Sequence, residues 1–301
     1  MIDIAQQTIK IGTLVRANQP DPAGYIAQIL PYGFESFSLM FWGTTEGVDW
    51  LKLADQVKVA LGDSGAVISS LGMFGNPLES GPDGVASLRG WEACIDAAHL
   101  FGCDIVAGFA GRLRNQPIDA SIPRFKQIFG ELAHRAEDNG VRIAFENCDM
   151  GGNWRTGDWN IAHNPKAWTM MFDAVPSDNL GLEWEPCHQM VNLIDPLPQL
   201  RAWVSRVFHV HGKCATIKWD VIPRCGIGGA EPFAFHRIPG FGDCDWTDVI
   251  SELRSGGYRG SIDIEGWHDP VYRDELEMTG QVAGLDYLKR CRRGDLVPNP
   301  S

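Results

Sequence analysis

Eight short β-rich runs, each followed by a longer helical pattern, constrain this chain more than any other feature. The first four are TIKIGTLV (8–15), GFESFSLMF (33–41), AVISSLGMF (66–74) and DIVAGFAG (104–111). The second four are VRIAFENC (141–148), LGLEWEP (180–186), VFHVHGK (207–213) and SIDIEGW (261–267). Helical spacing fills the gaps. In residues 123–140, Phe125, Ile128, Phe129, Leu132 and Ala136 recur on one face and Gly140 is a plausible stop. In residues 245–258, Asp245 is placed to cap, Val249, Ile250 and Leu253 face inward, and Gly256-Gly257 ends the helix. Strands joined through helices form a parallel sheet, and eight such units close as a (β/α)8 barrel, an α/β fold. No low-complexity linker interrupts the series, so residues 1–301 read as one barrel domain, with a loose or docking tail from about 292 to 301.

In such a barrel the strand ends that follow the chain direction line the active site. Four strands of the second half end in Glu146, Glu185, His211 and Glu265. Three carboxylates and one imidazole are a ligand set for a hard divalent ion with some nitrogen affinity: Mn²⁺ first, with Mg²⁺ or Co²⁺ also suited. A closed zinc site would recruit thiolates instead. Any one of these residues alone reads as a loop residue in a salt bridge. Four at equivalent places read as one metal site, expected to hold a single ion.

The stretch VFHVHGKC (207–214) sharpens this reading, because alternation along a strand points His209, His211 and Lys213 to one face. Residues two places before the strand ends form a deeper layer containing Glu183, His209 and Asp263. Unpaired, they would be costly inside a barrel, so they are expected to bond to one another and orient the ligands. Lys213 is expected at the rim, in reach of a bound substrate. The long segment after the fifth strand, residues 147–165, offers Trp154 and Trp159 as flat faces for a ligand to stack on. Asn153, Asn160 and His163 are its candidate hydroxyl partners. The competing reading has the tryptophans pinning the loop. Trp267 and His268, just after Glu265, belong to the same rim.

Composition excludes several classes of partner. The formal charge of −12 argues against nucleic acid or an anionic membrane as the main partner. The eight cysteines form no CxxC and read as reduced thiols. The start, MIDIAQQTIK, lacks the layout of a signal peptide, and no apolar run nears a membrane span, so a soluble cytoplasmic protein is expected.

Five motifs in order then suggest a family: FENC (145–148), NLGLEWEPCH (179–188), HVHGK (209–213), HRIPGFGDCDW (236–246) and GYRGSIDIEG (257–266). With these the chain resembles the sugar phosphate isomerase/epimerase family, whose fold is the xylose-isomerase-like TIM barrel. The resemblance implies metal ligands at Glu146, Glu185, His211 and Glu265 and substrate contacts at His188 and Arg237. Two positions depart from the family pattern: Glu185 stands where aspartate is usual, and Cys214 follows HxHxK where aspartate is common. The implied activity is a metal-dependent sugar isomerase or epimerase that abstracts a proton beside a chelated carbonyl through an enediolate. Glu146 and Glu265 would be its acid/base pair. The alternative is a lyase that uses the same enolisation to cleave 3-keto-glycosides, as in α subunits of C-glycoside-deglycosylating complexes. A metal-dependent apurinic endonuclease and a non-catalytic sugar-binding barrel fit less well. The expected partners are a small sugar or keto-glycoside and either a second copy of the chain or a smaller second subunit.

Overall fold

The computed structural model describes residues 8–293. Eight parallel strands close into a barrel: β1 (Lys10–Arg16), β2 (Ser36–Trp42), β3 (Val67–Phe74), β4 (Ile105–Gly108), β5 (Arg142–Glu146), β6 (Leu180–Trp184), β7 (Val207–Gly212) and β10 (Ser261–Ile264). β1 pairs with β10 to complete the circle, Gly12 lying opposite Asp263. The eight strands are those the sequence marks, most of them shorter at one or both ends.

The helices begin where short polar side chains can cap them. Asp21, Asp49, Asn164, Asp195 and Asp245 each accept a backbone N–H at the starts of α1 (Pro22–Ile29), α2 (Trp50–Leu61), α5 (Pro165–Ala174), α7 (Pro196–Trp203) and α9 (Trp246–Ser255). Proline at the first turn of α1, α5 and α7 adds a pre-set φ and loses no needed donor. α3 spans Pro82–Ala97 and α4 spans Ile118–Asp138. The α4 start lies five residues before the one expected, because Pro123 is carried inside the helix rather than opening it. Ile118 is fully buried, and its N–H bonds the Trp154 carbonyl at 3.0 Å, which anchors the earlier start. Between barrel and helices, Trp91, Phe125, Phe129 and Phe145 interlock edge-to-face and stacked, with centroids 4.8–6.4 Å apart.

One feature has no counterpart in the sequence reading. After β7 the chain enters an antiparallel hairpin outside the barrel, β8 (Cys214–Ile217) with β9 (Ala234–Arg237). Four-residue strands about sixteen residues apart are too short and too distant to show a period. The short helix α8 (Val221–Cys225) lies in the connection between β8 and β9, α6 (Pro186–Val191) packs against β8, and α10 (Glu277–Arg292) closes the outer ring. Arg292 thus belongs to a helix, and the tail from 294 onward lies outside the described residues. No helix among the described residues is long and apolar enough to cross a membrane.

Candidate metal centre

Glu146 ends β5, Glu185 follows β6 as the residue before α6, His211 lies in β7 and Glu265 follows β10. These strands are consecutive around the barrel, so their ends meet at one mouth. One ligand atom from each of the four residues falls within 4.8 Å of all the others, and all four residues are buried. His211 Nδ1 is 3.2 Å from Glu146 Oε1, 3.5 Å from Glu185 Oε2 and 3.6 Å from Glu265 Oε2. Oε2 of Glu185 and Oε2 of Glu265 have no hydrogen-bond donor, and Oε1 of Glu185 meets only the imidazole of His188. Converging buried anions without donors are strongly unfavourable unless a cation balances them. The donor set of three oxygen ligands and one nitrogen suits a hard divalent ion, so these residues fit the metal that the sequence implies.

Beneath them a polar layer holds His211 in place. His209 Nδ1 is 2.8 Å from Glu183 Oε1, and its Nε2 is 2.7 Å from Asp263 Oδ2. The same Glu183 oxygen is 3.1 Å from His211 Nε2, which leaves His211 Nδ1 to face the three outer carboxylates. Ser36 and Ser69 donate to the two Asp263 oxygens. Burial opposes charge on Glu183, yet the two imidazoles hold its pKa down at about 2. Burial likewise favours neutral His209, but hydrogen bonds to Asp263 and Glu183 raise its pKa. Glu146 differs: burial pushes it up to about 7, against the pull of His211.

Lys213 lines the cavity above the centre but does not stand at an exposed rim: it is 1 % exposed and its Nζ donates to Glu265 Oε1 at 2.6 Å. The chain turns into β8 immediately after it, so the residue is enclosed between barrel and hairpin. Burial opposes its charge, while Glu265 and Glu185 hold its pKa well above the ordinary lysine value.

A cavity of about 460 Å³ opens above the centre, a size suited to a small ligand. Its charged side includes Glu146, Glu265, His211, Lys213 and His188. His188 lies in α6 with Nε2 2.8 Å from Glu185 Oε1 and Nδ1 without a partner. Its opposite character comes from Leu14, Met40, Trp42, Phe74 and Phe109, at or near the ends of β1 to β4. The strand-end rule extends to Trp42 and Phe74, but apolar strand ends read as core when only polar groups are sought. His236, on β9, also lines the cavity, with its Nδ1 unpartnered. Burial and Lys213 push its pKa down to about 3, so its imidazole is neutral. The sequence marks it only as the first residue of HRIPGFGDCDW and assigns it no role, since the hairpin that presents it was not foreseen. Trp267 and His268 do line the cavity.

The five loop candidates and Arg237 are not among the residues lining this cavity, Asn153 accepting instead from the Arg155 and Thr156 amides. Asn160 is spent as a brace: its Oδ1 accepts from the Ala110 and Ala162 amides at 3.1 Å, and its Nδ2 donates to the Glu146 and Cys148 carbonyls at 2.8 Å. Trp154 packs against the hydrophobic core, and its carbonyl accepts from Ile118. His163 is buried, and burial pushes its pKa down to about 4. Trp159 lies over an adjoining cavity instead. Arg237 Nε donates to Asp269 Oδ2 at 3.0 Å, an ion pair that also involves the Ile238 amide. The part of the loop that does reach the cavity is Cys148 to Gly151.

Fold and site together define a (β/α)8 barrel with a carboxylate–imidazole centre at the mouth. The chain belongs to the xylose isomerase-like TIM barrel family, whose model matches residues 26–291. It is similar to the rhizopine catabolism protein MocC of Rhizobium meliloti, 26% identical over 190 residues, which cover 58% of this chain and 54% of that protein. It is also similar to an inosose dehydratase of Lactiplantibacillus plantarum, 32% identical over 114 residues, or 37% of each chain. The chain thus spans about half or less of the length of these curated relatives. The solved 3-keto-D-glucoside 4-epimerase of E. coli superposes with a TM-score of 0.68 at 16% identity, covering 94% of this chain and 100% of that one, a likeness of fold.

Proposed function

We propose that this protein is a divalent-metal-dependent isomerase or epimerase that moves a proton at the carbon beside a ketone in a sugar or sugar-like ring. The observation that carries the reading is the cluster of four buried donor residues, with unpartnered carboxylate oxygens, beneath the cavity. When bound there by Glu146, Glu185, His211 and Glu265, a divalent ion would supply Lewis-acid polarisation of the carbonyl. Glu146 and Glu265 are the proton carriers at opposite sides of the centre. Lys213 bonds one oxygen of Glu265 and orients the other. Glu146 lies beside His211 at 3.2 Å and lines the cavity, a position that suits an acid/base group. The aromatic wall excludes water and strengthens every charge interaction in the cavity.

Two relatives support ketone-adjacent chemistry through their names, a 3-keto-glucoside 4-epimerase and an inosose dehydratase. The dehydratase also favours a second reading, in which the same abstraction ends in elimination of a β-oxygen substituent. Deuterium exchange from solvent, followed by NMR with Mn²⁺ present, tests both. The panel would contain 2-ketoses, a keto-inositol and methyl 3-keto-β-glucoside. Exchange beside the ketone is expected, with retention of all substituents for the first reading and loss of one for the second. No exchange into any of them by metal-loaded protein sinks both readings.

A further inference from the structure

Trp42, at the end of β2, is a wall shared by two cavities. Beyond it lies a second space of about 460 Å³ at the same end of the barrel, bordered by Trp159, Arg114, Glu79, Glu46 and Asp83. A continuous line of rings joins the two. His211 stacks on Phe74 at 6.5 Å, Phe74 meets Phe109 at 5.2 Å, and Phe109 meets Trp42 at 6.0 Å. Trp42 then meets Trp159 at 6.1 Å with the rings tilted by 43°, and the Arg114 guanidinium lies 5.4 Å over Trp159.

Loop bracing does not account for these indoles. Asn160 and the Arg112 guanidinium already tie down the segment, the latter donating to the Gln116, Asn153 and Trp154 carbonyls. Trp42 is nevertheless 48% exposed, a large apolar face left facing the groove. Charged groups border it: Arg114 Nη2 donates to Glu79 Oε2 at 2.9 Å, and Glu46 and Asp83 are exposed. Exposed indole with a guanidinium and carboxylates around it suits a pyranose ring. Its C–H face lies on the aromatic surface, and its hydroxyls reach the guanidinium and carboxylates.

We propose that the outer cavity is a subsite for a second polyhydroxylated ring, so that the substrate is a glycoside of at least two rings. The ketone-bearing ring occupies the inner cavity, and the linkage passes Trp42. This assignment of the inner ring rests on the function proposed above. The outer ring makes contacts remote from the reacting carbon, which hold the inner ring in register over the centre.

Binding of cellobiose and glucose, as unreactive probes, to wild type, Trp159→Ala and Arg114→Ala by calorimetry tests the subsite. Cellobiose should bind about tenfold tighter than glucose, and each substitution should remove most of that advantage. Arg114 has a 45% exposed side chain, so its variant is informative even if Trp159→Ala fails to fold. No preference for cellobiose in the wild type, or a preference that survives both substitutions, overturns the subsite. Deuterium exchange into methyl 3-keto-β-glucoside reports on the chemistry of the inner ring separately, so either idea can fail without the other.

Discussion

His209 and His211 share one strand face, about 6–7 Å apart along the strand, and among their partners share only Glu183. His211 presents Nδ1 to three outer carboxylates, whereas both nitrogens of His209 are taken by Glu183 and Asp263. Replacing His211 with Phe removes a ligand and places an apolar ring among the anions, so metal binding and activity should be lost. His209→Phe removes only the orienting contact, and affinity for Mn²⁺ should fall ~10- to 100-fold. Titration calorimetry with Mn²⁺ distinguishes them, and equal losses would falsify this division of roles. Glu265→Gln and Glu146→Gln should each lower kcat by ~10²-fold or more without changing the circular dichroism of the barrel.

At the scale of elements, the barrel closes where β1 meets β10, and Gly12 is the residue that permits it. A Cβ at Gly12 would overlap the Ser36 carbonyl, the Ser36 hydroxyl and Asp263 Oδ1. Asp263 approaches this backbone because it bonds His209 and two serines, so the polar layer and the strand contact are coupled. Gly12→Ala should therefore cost about 3 kcal/mol, read from urea denaturation, and should also weaken metal binding by displacing Asp263. A variant as stable as wild type would show that β1 and β10 are not held this closely.

Across the whole molecule, the C-terminal helix is clamped to the start of the barrel. Arg292 donates to the Ile9 carbonyl at 2.8 Å and pairs with Glu35, which also accepts from the Ile11 amide at 2.9 Å. Burial would raise the Glu35 pKa, but the Arg292 and Ile11 hydrogen bonds outweigh it and lower the value. A carboxylate depressed in the folded state stabilises fully above its unfolded pKa of about 4.3 and loses that contribution as pH falls through the folded value. The stability gap between wild type and Glu35→Gln should thus be constant near neutrality and narrow below about pH 4, measured by thermal denaturation across pH. Metal should act on the entire barrel as well. About one ion per chain is expected, and at 100 times its Kd it should add about 2.7 kcal/mol, seen as a Tm rise that a chelator reverses. Mn²⁺ or Co²⁺ should restore activity better than Ca²⁺, which favours more oxygen ligands. Full activity in a metal-free preparation would refute the reading.

The barrel and its centre were legible from the sequence because both rest on short-range periodicity. Two-residue alternation in VFHVHGK and SIDIEGW places His211 and Glu265 on the inner face, and strand order brings their ends together. Lys213, Arg237, Asn160 and His236 were not legible, since each depends on contacts between segments distant in the chain. The β8–β9 hairpin encloses Lys213 and delivers His236, Asp269 engages Arg237, and four backbone groups from different segments claim Asn160. Local pattern decides which way a side chain leaves its strand. Tertiary packing decides which partner satisfies it, because a buried polar group bonds to whatever the fold brings within reach.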